Sequence, residues 1–353
     1  MSAPYAGPPD PKIVALGGGH GLAASLTALR KVTEQLTAVV TVADDGGSSG
    51  RLRKEFGVLP PGDLRQALAA LCGDDEWGRT WAEVLQHRFS RDSELAGHAV
   101  GNLLIVALWE RLGERASGVG SEGRVGRGGS EEPNATIGTE RLGGNGLHVD
   151  GLDWVGRLLG ARGRVLPMCS VPLEITAQVE GLDPLDPAVV RVVRGQSKVA
   201  ATTGRVRSVA LEPPNPPACP EAVEALRAAD GVVLGPGSWF TSVLVHLLVP
   251  ELAAALHETR ARRVLTLNLA PQAGETRGFS PERHLEVLAA HAPDLRIDVV
   301  IADDAFVADQ PALAAAAAML GADLVVADVA HEDGSARHDP ERLAQVYAKV
   351  LDM

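Results

Sequence analysis

Residues 12–21 read Lys-Ile-Val-Ala-Leu-Gly-Gly-Gly-His-Gly, and residues 36–50 read Leu-Thr-Ala-Val-Val-Thr-Val-Ala-Asp-Asp-Gly-Gly-Ser-Ser-Gly. Each stretch is an apolar run that opens into a glycine-rich turn, and one helix fits between them. This order of strand, turn, helix, strand and acidic turn builds a nucleotide pocket at the carboxyl ends of parallel strands. Backbone N–H groups in such turns approach an anion closely, and the helix dipole behind them adds positive charge. The pattern therefore predicts a phosphorylated, nucleotide-like ligand.

The rest of the chain continues the alternation of strands and helices. Four short apolar runs are separated by helical stretches, at 231–234, 264–269, 297–301 and 324–329. Such an alternation predicts a parallel sheet covered on both faces. Between 171 and 212 the β-type alternation leaves no room for a helix, which predicts a small inserted antiparallel β-unit. The predicted fold class is therefore α/β, a Rossmann-like doubly wound, mostly parallel sheet with that insertion.

Changes of composition along the chain predict four regions. Residues 1–112 form an N-terminal nucleotide-binding half, and residues 213–353 form a C-terminal half that completes the same sheet. Residues 149–212 hold a helix and the β-unit. Residues 113–148 are predicted to be a flexible insertion, because eleven glycines and no apolar periodicity occur between 113 and 146. Such a segment buries too little apolar surface to offset its ordering entropy.

Composition excludes several classes of protein. The formal net charge of −12 argues against a nucleic-acid binder, which needs concentrated Lys and Arg. The three cysteines have no metal-like spacing and suit a reduced cytosol. The first ten residues lack the apolar centre of a signal peptide, and no apolar run reaches the roughly 20 residues of a membrane span. We therefore expect a cytoplasmic protein without a membrane span.

The first glycine turn is a candidate phosphate site. Residues 19–24 read Gly-His-Gly-Leu-Ala-Ala and fit the dinucleotide-binding pattern G-x-G-x-x-G/A, with Asp44 25 residues after Gly19. The candidate residues of this turn are Gly17, Gly18, Gly19, His20 and Gly21. Alone the pattern is weak, because a tight turn that only reverses the chain has the same composition. The side chain of His20 is interpreted either as a phosphate contact or as a solvent-facing loop residue.

The second turn carries two adjacent carboxylates, Asp44 and Asp45. Neighbouring carboxylates at a strand end are unfavourable unless they hold ribose hydroxyls, a cation or helix N–H groups. Gly46 and Ser48 follow them and offer hydrogen-bond donors to a phosphate. The alternative interpretation is a helix start capped by the acids. A hard cation needs about six oxygen ligands, and the local spacing shows no third acid.

Later loops add further candidates at the same edge of the sheet. They follow the apolar runs after residue 230, or begin a buried helix predicted at 103–112. Upstream, residues 60–63 read Pro-Pro-Gly-Asp, and Asp63 is predicted to cap a helix over 64–71. The candidate ligand contacts of this group are Asn102, Gly235, Gly237, Ser238, Asn268 and Arg337. Arg337 has the alternative of being part of a helix cap.

Together these motifs resemble the YvcK-like proteins, known as gluconeogenesis factors. The resemblance runs from about residue 12 to 351 apart from the insertion, and the block at 44–53, Asp-Asp-Gly-Gly-Ser-Ser-Gly-Arg-Leu-Arg, is highly specific. The other motifs that carry it are residues 15–21, 60–65, 86–89, 97–98, 101–103, 234–238, 241–242, 272 and 274–276.

The resemblance implies a fold shared with 2-phospho-L-lactate transferase and binding of UDP-sugars, notably UDP-N-acetylglucosamine. It also implies a role in cell shape and wall precursor supply during growth on gluconeogenic carbon sources. Members are described as binding proteins, so the implied function is regulatory, through an unidentified protein partner and without a required cofactor. On this hypothesis the glycines of the first turn cradle the diphosphate and Asp44 holds ribose hydroxyls. Further polar contacts would come from Ser48, Asn102, Ser238, Asn268 and Arg337.

The sequence departs from the family pattern at three places. His20 stands where a threonine is usual. Phe279 stands where a tyrosine is often seen, so stacking on uracil would remain and a hydroxyl contact would not. Residues 61–65, Pro-Gly-Asp-Leu-Arg, stand where the transferase relatives carry Pro-Asp-x-Asp-Thr. One acid of that metal-binding run is therefore missing, and Asp63 and Arg65 join the candidate ligand residues.

Two alternatives to a binding protein stay open at this point. One is a transferase that moves a nucleotide-activated phospho-group, with Mg²⁺ held by Asp44, Asp45 and Asp63. The other is an NAD-dependent oxidoreductase, which is supported only by the glycine pattern of the first turn. A homo-oligomer is compatible with the fold class, and no residue identifies its interface.

Overall fold

The computed structural model describes residues 10–90, 93–116, 146–272 and 274–352. Ten strands lie in this part of the chain. They are β1 (Ile13–Gly17), β2 (Leu36–Val40), β3 (Arg164–Pro167), β4 (Glu174–Glu180), β5 (Val190–Arg194), β6 (Arg205–Glu212), β7 (Gly231–Leu234), β8 (Arg262–Thr266), β9 (Val299–Asp303) and β10 (Asp323–Ala327). Most of the predicted 113–148 insertion lies outside the described residues.

Seven of these strands form one parallel sheet in the order β10-β9-β8-β7-β1-β2-β3. All five residues of β1 are buried, as expected for an apolar strand covered on both faces. The strand order reverses between β1 and β7, so the loops that follow these two strands lie side by side. This reversal is where open α/β sheets bind their ligands. The predicted α/β, Rossmann-like fold class is confirmed.

Helices cover this sheet and connect its strands. They are α1 (Gly19–Leu29), α2 (Gly47–Phe56), α3 (Gly62–Ala70), α4 (Glu76–Gln86), α5 (Val100–Ala116), α6 (Leu147–Leu159), α7 (Gln196–Ala200), α8 (Pro220–Arg227), α9 (Pro250–Glu258), α10 (Pro281–His291), α11 (Gln310–Met319) and α12 (Pro340–Val350). A π-helical turn at Trp239–Val243 and a 3₁₀ turn at Leu244–Leu248 follow β7. The core helix predicted at 103–112 is longer at both ends, since α5 begins at Val100 and ends at Ala116.

The predicted antiparallel β-unit is present as a separate three-stranded sheet in the order β5-β4-β6. The prediction that no helix interrupts it was wrong, because α7 lies between β5 and β6. The Asp45 carboxylate accepts the Ser197 backbone N–H at 2.9 Å and its hydroxyl at 2.7 Å. The start of this short helix is thus stabilised by a residue about 150 positions away, which no local sequence pattern records.

The predicted cap of α3 was also wrong. Pro61 precedes the first residue of the helix, and Asp63 lies inside its first turn. The Asp63 carboxylate points away from the α3 backbone and accepts the Thr41 hydroxyl at 2.8 Å and the Gly19 N–H. The carboxylate therefore joins the end of β2 to the start of α1.

No single helix of the described residues is long and apolar enough to cross a membrane. Two consecutive helical segments, Trp239–Leu248 and Pro250–Glu258, are together long and apolar enough for a span by length and composition alone. The chain bends by 81° between them.

The last helix is tied to the centre of the sheet by a buried hydroxyl cluster. The Tyr347 hydroxyl on α12 lies 2.8 Å from Ser25 Oγ on α1 and 2.9 Å from Thr266 Oγ1 on β8. Ser25 Oγ in turn donates to the Gly235 carbonyl at 2.8 Å. The cluster therefore joins α1, β8, α12 and the loop after β7 behind the strand ends.

Replacing Tyr347 with Phe should destabilise the fold. The change removes a fully buried hydroxyl and leaves the hydroxyls of Ser25 and Thr266 without this hydrogen-bond partner. The expected loss in the free energy of unfolding is about 1–3 kcal/mol. Urea denaturation measures this loss. The double variant Tyr347→Phe/Thr266→Val should lose less than the sum of the two single variants, because the two side chains contact each other. Strictly additive losses would contradict the proposed cluster.

Candidate functional site

A cleft of about 590 Å³ lies at the carboxyl ends of β1, β7 and β8. Its wall combines the start of α1, the loops after β7 and β8, and the segment that precedes α12. Helices α3 and α4 close the opposite wall. The polar side chains that line it are His20, Thr27, Gln66, Gln86, Asn268, Gln272, Arg337 and His338. A separate depression of about 530 Å³ between α8 and α9 holds none of the predicted site residues.

Backbone contacts that only glycine permits bring the loops together. A Cβ atom on Gly21 would lie 2.3 Å from the Pro236 carbonyl oxygen. A Cβ atom on Gly18 would lie 2.2 Å from Thr41 Oγ1 and 2.6 Å from Asp63 Oδ2. The first glycine turn therefore packs against the loop after β7 on one side and against the end of β2 on the other.

The loops after β7 and β8 are joined by a reciprocal pair of hydrogen bonds. The Gly237 N–H donates to Asn268 Oδ1 at 2.9 Å, and Asn268 Nδ2 donates to the Gly237 carbonyl at 2.8 Å. Both residues line the cleft. Asn268 therefore fixes the shape of the cleft, and its amide is engaged by the protein itself.

A buried acidic group lies beside the cleft. Asp63 accepts the Gly19 N–H, so a carboxylate of the protein already sits at the first turn of α1. Burial and, second, the neighbouring Asp44 carboxylate raise the pKa of Asp63 to about 6. Burial also raises the pKa of Asp44, against the hydrogen bond that it accepts from the Gly46 N–H at 2.9 Å. The site thus disfavours the simultaneous ionisation of both acids.

A buried guanidinium accompanies these acids. Arg65 is 3% exposed, and burial together with the nearby Arg88 lowers its pKa to about 10, so it remains charged near neutral pH. Arg65 Nε donates to Asn102 Oδ1 at 2.9 Å, and Asn102 Nδ2 donates to Ser48 Oγ at 3.0 Å. Ser48 Oγ lies 3.0 Å from His98 Nδ1. Polar residues predicted from three distant motifs therefore form one network at the start of α2.

Three acidic residues predicted as alternative metal ligands do not converge. Asp45 bonds Ser197, as described above, and Asp44 accepts the Gly46 N–H before α2. Asp63 accepts the Thr41 hydroxyl at the end of β2. Within the described residues, one set of three acidic side chains brings its oxygens within 4.8 Å of one another, Asp303, Asp304 and Asp328. In that set Asp328 is paired with Arg342, and Asp303 accepts the N–H groups of Val329 and Ala330. A cation beside the glycine turns would therefore have only Asp44 and Asp63 as acidic ligands from the predicted set.

Two predicted residues lie in a third group, around Glu275. Ser238 Oγ donates to Glu275 Oε1 at 2.6 Å, and the Phe240 N–H donates to the same oxygen at 3.1 Å. Phe279 packs edge-on against Phe240 and His284, with ring centroids 6.3 Å and 5.3 Å apart. Neither Ser238 nor Phe279 lines the cleft. Their contacts support the loop after β7.

The predicted site residues are therefore only partly brought together. Those that line the cleft are His20, Gly21, Gly237, Asn268 and Arg337. Gly17, Gly18, Gly19 and Gly235 lie at the ends of β1 and β7, and Gly46 precedes α2. The Arg337 side chain is 71% exposed and forms an ion pair with Asp333 at 2.7 Å. It stands at the mouth of the cleft.

Sequence reasoning missed several residues of the cleft wall. Gln66 and Gln86 are polar positions beside Ala69, Ala70 and Ala82, which form an otherwise apolar wall. For Gln66, a lone polar residue beside the alanines of α3 would have been the signal. Gln86 and Gln272 lie in motifs that carry the family resemblance and were not selected as ligand contacts, and His338 directly follows the selected Arg337.

Comparisons with known proteins identify the family of this chain. The sequence profile described as 2-phospho-L-lactate transferase CofD matches residues 13–127 and 124–338. A gluconeogenesis factor of Listeria innocua is 32% identical over 352 residues, which cover 97% of this chain and 96% of the relative. The chain belongs to the gluconeogenesis factors, within the CofD family. A provisionally named gluconeogenesis factor of Mycobacterium tuberculosis is 51% identical over 337 residues, covering 95% of this chain and 88% of that protein.

A solved relative of the gluconeogenesis factors has the same fold. The crystal structure of a UPF0052 family protein from Bacillus halodurans matches with a TM-score of 0.76 and 28% identity. The match covers 96% of this chain and 99% of that protein. The predicted resemblance to this family is confirmed.

Replacing Asp63 with Asn should change how stability depends on pH. The raised pKa means that the folded state binds a proton more tightly than the unfolded state between about pH 4 and pH 6. Ionisation of Asp63 therefore lowers the free energy of unfolding as pH rises through this window, by at most about 3 kcal/mol. The variant lacks this loss, so its stability relative to the wild type should rise between about pH 4 and pH 7.

Urea denaturation at several pH values measures this difference. The exposed Asp294 provides the matched control, since Asp294→Asn should shift stability by a similar small amount at each pH. An Asp63→Asn curve that runs parallel to the wild-type curve would contradict a raised pKa at this carboxyl.

Proposed function

We propose that this gluconeogenesis factor is a cytoplasmic UDP-sugar-binding regulatory protein, with UDP-N-acetylglucosamine as its ligand. Its role would be in cell shape and wall precursor supply during gluconeogenic growth, through a protein partner that reads the bound state. The observation that carries the proposal is the cleft at the reversal of strand order, where the loops after β1, β7 and β8 meet. Membership of the gluconeogenesis factor family supports the role.

The walls of the cleft suit an elongated polar ligand. Asp63 accepts the Gly19 N–H, and Gly18 supplies no side-chain cap, so on this proposal the following backbone N–H groups of the first turn of α1 bind the ligand. Arg337 adds a positive charge at the mouth. On this proposal the diphosphate lies along the first glycine turn, and the uridine lies toward Asp44 at the end of β2.

A second candidate function is favoured by the buried acids. Asp44 and Asp63 are neighbouring carboxyls with raised pKa values beside a glycine turn, and a Mg²⁺ ion bound between them would lower both values. The match to the 2-phospho-L-lactate transferase profile points the same way. The alternative is therefore a Mg²⁺-dependent transferase of a nucleotide-activated phospho-group.

Isothermal titration with UDP-N-acetylglucosamine tests the first proposal. Replacing Arg337 with Ala should weaken binding about tenfold, because a charge-assisted hydrogen bond at the mouth is lost. Arg111 supplies the control, since it is an exposed arginine on α5 that pairs with Glu114 and does not line the cleft. Arg111→Ala should bind like the wild type. The absence of heat and of a thermal shift at millimolar ligand would refute the proposal.

Chelation separates the two candidate functions. A binding protein should bind UDP-N-acetylglucosamine equally well in excess EDTA, and mass spectrometry should recover the sugar nucleotide unchanged. The transferase alternative requires loss of binding in EDTA and consumption of a nucleotide substrate when Mg²⁺ is restored. Equal affinity with and without the chelator, together with intact ligand, would exclude the metal-dependent mechanism.

A further inference from the structure

Two side chains in the cleft wall carry buried polar atoms that have no hydrogen-bond partner among the described residues, Gln272 Oε1 and His338 Nε2. Gln272 lies in the loop after β8, and His338 lies two residues before α12. His338 is 8% exposed. Buried polar atoms are almost always paired, so two unpaired atoms in one cleft indicate groups that a ligand completes.

The ring of His338 is a neutral acceptor at Nε2. Burial lowers its pKa to about 4, so the imidazole is uncharged near neutral pH. Its other nitrogen is bonded to the Leu267 backbone, where a carbonyl is the acceptor for a ring N–H. A neutral imidazole has one donor and one acceptor nitrogen, which leaves Nε2 with a free lone pair.

Gln272 presents a second acceptor on the same wall. Its backbone N–H donates to Thr276 Oγ1 at 2.9 Å, which fixes the loop. Its amide oxygen is buried without a partner. Both atoms accept hydrogen bonds, so they favour hydroxyl or amide N–H groups and disfavour an ionised phosphate, whose oxygens are also acceptors.

We propose, resting on UDP-sugar binding, that Gln272 Oε1 and His338 Nε2 accept hydrogen bonds from the hydroxyl or N-acetyl N–H groups of the sugar. The strand order of the sheet sets the orientation of the ligand. β2 and Asp44 lie on one side of β1, whereas β7, β8 and their loops lie on the other. With the uridine toward Asp44 and the diphosphate at the first glycine turn, the sugar reaches the wall formed by these two side chains. They are specificity-determining residues for the sugar.

The variants Gln272→Leu and His338→Phe test this assignment in the full chain. Each should weaken binding of UDP-N-acetylglucosamine up to about tenfold, because one hydrogen bond is lost. Each should leave binding of UDP unchanged, since UDP carries no sugar beyond its ribose. The control is His257→Phe, at an exposed histidine on α9 outside the cleft, and it should bind both ligands like the wild type.

Thermal unfolding identifies a variant that fails to fold. If His338→Phe fails to fold, Gln272→Leu alone tests the assignment. Equal loss of UDP and UDP-N-acetylglucosamine binding would overturn the assignment, because the donors would then belong to the uridine. Unchanged affinity in both variants would overturn it as well, because neither atom would then bond to the sugar. Wild-type protein that binds neither ligand would instead refute the proposed function.

Discussion

The close approach of the Gly21 backbone to the Pro236–Gly237 turn is the contact on which the cleft depends. β1 lies where the strand order reverses, so the turns after β1 and β7 must share one space. A side chain at residue 21 would meet the Pro236 carbonyl oxygen at 2.3 Å, and glycine alone avoids this. The floor of the cleft is therefore built of backbone, and its shape is set by packing of the sheet and by the Asn268 bridge.

Much of the fold was predictable because it is encoded locally. Apolar runs mark the parallel strands, and the glycine turn at 17–21 marks where β1 ends, whereas β2 ends at Val40, before the turn at 46–50. The errors arose where a contact between distant residues decides local structure. The start of α7 is stabilised by hydrogen bonds to Asp45. The Asp63 carboxylate bonds Thr41 and Gly19 instead of capping its own helix. Neither contact leaves a periodic pattern in the sequence.

The candidate site was predictable at the level of loops and less so at the level of side chains. Topology places every loop after a parallel strand at one edge, which explains why Asn268 and Arg337 reach the cleft. Topology does not fix the direction of a side chain. Ser238 bonds Glu275, and Arg65 bonds Asn102, so both complete internal networks. His338 reaches the wall because its ring is held by the Leu267 backbone.

The electrostatics of the buried acids connects the two candidate functions. Asp44 and Asp63 carry two negative charges when both are ionised, against one positive charge on Arg65. Their carboxyls lie beside the turn that would bind a diphosphate. Binding of an anion there therefore requires that part of this negative charge is neutralised. A proton on Asp63 does so for a binding protein, since its pKa of about 6 makes protonation easy. A divalent cation does so for a transferase. The two candidate functions therefore differ in whether a proton or a divalent cation neutralises the Asp63 carboxylate.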